Sequence, residues 1–248
     1  MNKLYVILIL TFIVFTTNSN AQVSMDDGNW THTTGGNFGN FSAVDPSTIG
    51  SKKMELINYS DIEGSPFYIQ KWSKAFMYLK NGNLAKANQV KLNMFSNEVD
   101  FINSNNVEMV LDGSNFKRII LMKQEDTSRI AAIFDCYPDM VDDTKGATFY
   151  RVLNGGSIQL YVLEKSILKK GDYDPMQGKV PKSFYSKKFF ALSNAGAFSP
   201  LKYLDRNSIL AALNTHQIEE DWLNNNHNKL RNEKEVIAFF EFLNSGKK

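Results

Sequence analysis

Across residues 65–192, apolar side chains alternate with polar ones in short runs broken by turn-forming residues. In the stretch 89–95, Val90, Leu92 and Met94 fall on one side while Lys91 and Asn93 fall on the other. That period of two predicts a half-buried strand. Further strand-like runs cover 75–80, 98–102, 107–111, 116–122, 129–137, 148–153, 158–163 and 184–192. Asn81-Gly82, Asp112-Gly113 and Asn154-Gly155-Gly156-Ser157 punctuate them, and each suits a tight turn that needs positive φ. About nine short strands joined by short turns predict a mainly β (α+β) fold. The expected architecture is an antiparallel meander forming a curved sheet, a sandwich or an open barrel.

The period then changes. Asp205 is placed to cap a helix running to Leu213, and Thr215 to cap a second one carrying Ile218 and Trp222 on one face. Asn232 with Glu235 three residues on forms a capping-box-like start. Val236, Ile237, Phe240 and Leu243 make an apolar stripe behind it. This C-terminal segment, 205–248, is expected to pack on a β-rich domain spanning 56–204.

The N-terminus has its own pattern. One basic residue, Lys3, precedes an apolar run from Leu4 to Phe15, and Ser19 and Ala21 are small residues at the positions a signal peptidase reads. Residues 1–21 are therefore expected to be a signal peptide cleaved after Ala21. The run is too short to span a bilayer, and no second run of spanning length follows, so no membrane span is expected after cleavage. Residues 22–55 are rich in Gly, Asn, Ser and Thr without apolar periodicity and read as a flexible segment.

Composition narrows the function classes. Hydrophobic content of 43% with 22% charged residues is that of a globular protein. A formal charge of +2 argues against general nucleic-acid binding. Cys136 is the single cysteine, so no intrachain disulfide is available, and its apolar setting reads as core.

Candidate chemistry is sparse. No Gly-x-Ser-x-Gly elbow, phosphate loop, dinucleotide fingerprint or His-Glu-x-x-His occurs. His32, His216 and His227 are too scattered to nominate a zinc site. Two acidic clusters remain as binding candidates: Asp139, Asp142 and Asp143, and then Asp172 and Asp174. Loop carboxylates suit a hard cation, but neither cluster has the spacing of an EF-hand, and solvated turns explain them with less. Lys169-Lys170 and Lys187-Lys188 read as solubilising charges at strand ends. No catalytic residue, metal or cofactor is nominated.

Gly64-Ser65-Pro66-Phe67-Tyr68, the short-strand meander and the Lys/Asn-rich helical tail together resemble the uncharacterised secreted proteins of Bacteroidetes-type bacteria. The resemblance implies an envelope location, periplasmic or extracellular, in a Gram-negative cell. The expectation is an exported protein that binds a protein or small-molecule partner in the envelope, with an apolar ligand as one version. A hydrolase using loop carboxylates and a structural or assembly component are the alternatives.

Overall fold

The computed structural model describes residues 24–26, 29–31, 46, 52–53, 59, 62–138, 146–172, 176, 178, 180–213, 217–227 and 229–246. The expected signal peptide, 1–21, lies outside the described residues, as does most of 22–55. Within the latter, β1 (Ser24–Asp26) and β2 (Asn29–Thr31) pair as a small antiparallel hairpin, and β3 is Lys52–Lys53.

Ten longer strands make the body. They are β4 (Ser73–Leu79), β5 (Leu84–Asn93), β6 (Glu98–Ile102), β7 (Glu108–Asp112), β8 (Phe116–Met122), β9 (Ile130–Pro138), β10 (Ala147–Val152), β11 (Ile158–Lys170), β12 (Lys182–Asn194) and β13 (Ala197–Leu201). With β3 they form one antiparallel sheet in the order β13-β12-β11-β10-β9-β8-β4-β5-β6-β7-β3. The mainly β architecture expected from the alternation is thus present, as a single open sheet with three C-terminal helices. Leu79 N donates to Asn83 O, closing the Asn81-Gly82 hairpin, and Gly82 takes the positive φ that turn requires.

The sheet curls. Four strands lie between β5 and β11 in the sheet order, yet Ser166 N of β11 donates to Met94 O, just past β5, at 3.2 Å. Thr148 Oγ1 of β10 likewise reaches Asn97 Oδ1, just before β6, at 2.8 Å. One face therefore turns inward on itself. Ala75, Met77, Val90, Leu92, Val99, Phe101, Leu111, Phe116, Ile119, Phe134 and Phe149 fill it and are essentially inaccessible. Burying such side chains is worth about 1.5–3 kcal/mol each.

Farther along the same face, Leu160, Val162, Leu192 and Leu201 meet a helical layer of α1 (Arg206–Leu213), α2 (Gln217–Asn225) and α3 (Glu233–Asn244). The stripe on α3 points at the sheet: Val236, Phe239 and Phe240 are fully buried. Trp222 stacks on Phe242 at 4.8 Å between ring centres. The caps form where the residue types place them. Asp205 Oδ1 accepts from Ser208 N, and Asn232 Oδ1 accepts from Glu235 N. Thr215 lies outside the described residues.

The segment Gly64–Tyr68 works as a strap across the curl. Glu63 N donates to Lys182 O and Glu63 O accepts from Phe184 N, so the strap begins on β12. Pro66 O then accepts from Met94 N, and Tyr68 N donates to Leu92 O, so it ends on β5. Ser65 O accepts from Ser166 Oγ on β11 in passing. Gly64 has φ +85°, and a Cβ there would stand 2.6 Å from Phe184 O. Only glycine lets the two backbones approach so closely.

Candidate functional site

The acidic candidates are not gathered into a site. Asp139, Asp142, Asp143 and Asp174 lie outside the described residues. Asp172 is exposed in the connection from β11 to β12. No group of three His, Cys, Asp or Glu residues is arranged to hold a metal ion among the described residues. His227 is exposed just past α2.

Three ionisable arrangements stand out, two around the buried carboxylates Asp135 and Asp100 and one partly exposed. On the outer face, Arg118 forks onto Asp135, with Nη2 to Oδ2 at 2.8 Å, and the single proton of the Tyr161 hydroxyl is shared between Gln159 Oε1 at 2.8 Å and Asp135 Oδ2 at 3.1 Å. Strand register explains the first contact, because Arg118 and Asp135 are direct cross-strand partners. Burial, reinforced by the Asp135 charge, pushes the Tyr161 phenol far up, so it stays a neutral donor. Cys136, next door, is buried, and its thiol is likewise pushed up by burial first and by Asp135 second. Such a thiol is not a nucleophile at neutral pH.

On the inner face, Arg151, Glu164, Lys188 and Glu233 form a four-membered ring of alternating charge. Arg151 Nη2 to Glu164 Oε1 and Lys188 Nζ to Glu233 Oε1 are both 2.8 Å. The ring sits where the curled core meets the helical layer, and it fastens the first residue of α3 to β10, β11 and β12. The phenol of Tyr68, at the end of the strap, interacts with all four charges and is raised mainly by burial. Each charge here has an opposite charge beside it, although Arg151 Nε has no hydrogen-bond partner among the described residues.

Asp100 is the third case and differs from the other two. It lies between the core residues Val99 and Phe101 of β6, faces the opposite side, and is 2% exposed. Its Oδ1 has no hydrogen-bond partner among the described residues. Burial, with Glu98 adding and Lys91 subtracting, raises its pKa to about 7. The folded chain therefore holds a proton that the unfolded chain has already lost above about pH 4. Stability should fall as pH rises from about 4 to about 7 and then level off. Asp100→Asn should be less stable than the parent protein near pH 4 by about 2 kcal/mol and more stable by about 2 kcal/mol at pH 8, in paired urea titrations. The linkage spans about 4 kcal/mol between those pH values, and the unpaired donors of the buried amide subtract about 2 kcal/mol at both. Equal stability of the two proteins at pH 8 would mean that Asp100 is solvated.

A cleft beside α1 is lined by Asp205, Arg206, Asn207, Lys229 and Arg231, so its walls are polar. Asp205 is already engaged in capping α1, and Arg206 Nη1 donates to Asn224 Oδ1.

The remaining charge is concentrated on one element. β11 pairs with β10 only as far as Leu163, and β12 pairs with β13 only from Phe190 onward. Beyond those points Glu164–Lys170 and Lys182–Phe189 continue as a two-stranded arm. The arm with its connection, 164–189, contains seven Lys, two Asp and Glu164, a net charge of +4 in a chain whose formal total is +2, so everything outside it sums to −2. Lys165 stands directly opposite Lys187, and Lys170 directly opposite Lys182. Like charges facing each other across a strand pair are destabilising. The arm tolerates them because its inner side is anchored: Phe184 is buried, with Tyr59 and Phe95 edge-on at 5.6 and 5.3 Å. Its outer side carries Ile167 opposite Tyr185, which is 48% exposed, among the lysines. Lys187 Nζ lies 4.7 Å from the Phe189 ring centre. The lysine pairs read as strand-end solubilisers are thus split by register between the two faces of one arm: Lys165, Lys169 and Lys187 lie on the outer side, and Lys170, Lys182 and Lys188 on the side of Phe184. The acidic Asp172 sits at the arm's far end.

The chain matches no family model, no curated protein and no solved structure.

Proposed function

We propose that this is an exported envelope protein that acts by binding an anionic partner through the exposed lysines of the β11–β12 arm. The observation that carries the reading is the separation of charge: +4 on the β11–β12 arm with its connection against −2 on the rest. Self-repulsion in the arm is relieved when a partner supplies negative charge. The leader-like residues 1–21 support export. No helix among the described residues is long and apolar enough to cross a membrane. The charges of the Arg118–Asp135 pair and of the Arg151–Glu164–Lys188–Glu233 ring are engaged with one another, which favours recognition over catalysis.

Retention on immobilised dextran sulfate tests the reading. The protein should be held at low ionic strength and released steeply as salt screens the contact. Replacing Lys169, Lys170 and Lys182 by Gln should weaken retention at least about tenfold at low salt and flatten the salt dependence. A charge-matched control, Lys71, Lys80 and Lys117 to Gln, should change it less than about threefold. Equal losses in the two triple variants would point to net charge alone and defeat the proposal.

A further inference from the structure

We infer that the free edge of β12 takes up a short, extended acidic peptide segment as an added antiparallel strand. This rests on the anion-binding role proposed for the arm and names its partner. Along β12 the backbone groups of odd-numbered residues point at β11 and those of even-numbered residues point away. Pro181 O accepts from Gly171 N and Ala195 N donates to Ser157 O, both on the β11 side, whereas Lys182 O and Phe184 N are bonded to Glu63 on the other. That second edge is covered again from Phe190 to Asn194, by β13. Between Glu63 and β13 lies a window in which Ser186 and Lys188 each turn an N–H and a C=O outward. Among the described residues nothing pairs with them there. Tyr185, Ser186, Lys187 and Lys188 are all exposed, so the window is open to a partner.

An unpaired strand edge is a template for a further strand: its backbone groups supply affinity and its alternate side chains supply selectivity. The window limits the length of the occupant. Phe184 to Phe190 is about 20 Å of strand, closed at one end by Glu63 and at the other by Leu201, the partner of Phe190. In antiparallel pairing the residues opposite Ser186 and Lys188 make the hydrogen bonds, and those opposite Tyr185 and Lys187 turn to the outer side. An acid suits the place opposite Lys187, and an apolar residue suits the place opposite Tyr185, two residues later in the segment. Glu63 is exposed at the strap end and repels an acid placed there, which keeps the acid at the Lys187 end. Asp172 lies farther out, past the strap. On the inner side Lys188 is already held by Glu233 at 2.8 Å, so uncharged residues suit the bonding positions. A second copy of this chain is the other occupant an open edge invites. It would bring a second lysine-rich arm to a seam where Lys165 already faces Lys187, which disfavours self-pairing.

An NMR titration with the end-capped peptide Val-Ser-Glu-Ser-Val tests this, because its Val and Glu side chains share one face and its Ser residues supply the bonding groups. The protein should bind it with a Kd on the order of 100 μM, with the amides of Ser186 and Lys188 among those that shift. The peptide with Lys in place of Glu should bind at least about tenfold more weakly. So should the peptide with its second Ser changed to Pro, which keeps the charge and loses the donor that meets Ser186. Ser186→Pro in the protein removes an N–H of the window and leaves every charge in place. It should weaken peptide binding at least about tenfold and leave retention on dextran sulfate unchanged. The three peptides are compared on the parent protein, so they decide the matter even where that variant folds poorly. Equal affinity for the Ser and Pro peptides, equal affinity for the Glu and Lys peptides, or full peptide binding by a folded Ser186→Pro protein overturns the inference. Retention on dextran sulfate without peptide binding overturns the strand partner and leaves the anionic-partner reading standing. Loss of both removes that reading as well.

Discussion

Gly64→Ala is expected to destabilise the fold by about 4 kcal/mol, while Gly82→Ala removes only about 1 kcal/mol. Both glycines have positive φ, +85° and +89°, so both pay the strain of a left-handed alanine. They differ in what surrounds them. Nothing lies within 4 Å of a Cβ at Gly82. At Gly64 the new methyl meets the carbonyl oxygen of Phe184 at 2.6 Å, and that oxygen belongs to backbone that cannot swing away alone. Moving it strains the two hydrogen bonds between Glu63 and β12, each worth about 1 kcal/mol. Phe184 would also shift against Tyr59 and Phe95. Chemical denaturation of the two variants side by side is the check. A Gly64→Ala protein no less stable than Gly82→Ala would show that the strap does not brace the curl.

The second large effect is expected at Asp135. Asp135→Ala removes the acceptor of the Arg118 fork and of the Tyr161 hydroxyl, and should destabilise by about 3 kcal/mol. The value falls at the low end for a buried pair because the Arg118 side chain is 41% exposed and regains water. Replacing both partners, as Arg118→Met with Asp135→Leu, should restore stability to within about 1 kcal/mol of the parent. Tyr161 retains Gln159 Oε1 at 2.8 Å in that double variant. A complete double-mutant cycle by urea titration measures the coupling. If Asp135→Ala and the double variant are equally unstable, the cost lies in packing rather than in charge left unpaired.

How much of this was legible in the chain follows from the range of each interaction. Alternation and Asn-Gly turns are local, and every run expected as a strand corresponds to one of β4 to β12. The boundaries erred where the alternating side chains were too small or too polar to signal. β5 starts at Leu84 rather than near Gln89, because Ala85 and Ala87 fill the inner face with little volume. β13 was missed for a different reason. It contains Pro200, which removes a donor and is accommodated because β13 is the edge of the sheet. β11 and β12 were expected to be shorter because their outer halves are lysine-rich on both faces.

The candidate site was less legible, since register creates it. Lys165 and Lys187 are opposed only because thirteen residues of β11 pair with thirteen of β12. Asp100 left a faint trace: a lone acid between Val99 and Phe101 in a five-residue strand. What buries it belongs to the tertiary fold. Gly64-Ser65-Pro66-Phe67-Tyr68 stood out as a motif, but nothing local tells that it runs from β12 to β5.

That span has a kinetic meaning. The β4–β5, β5–β6, β6–β7 and β8–β9 rungs join strands adjacent along the chain, so they can assemble early. The strap cannot. Ser65 and Ser166 are separated by 101 residues, and the loop between them must close before their bond forms. Docking of Gly64–Tyr68 is therefore a late event, reached after β11 and β12 exist. A lesion at Gly64 should consequently leave the refolding rate nearly unchanged and appear instead as faster unfolding.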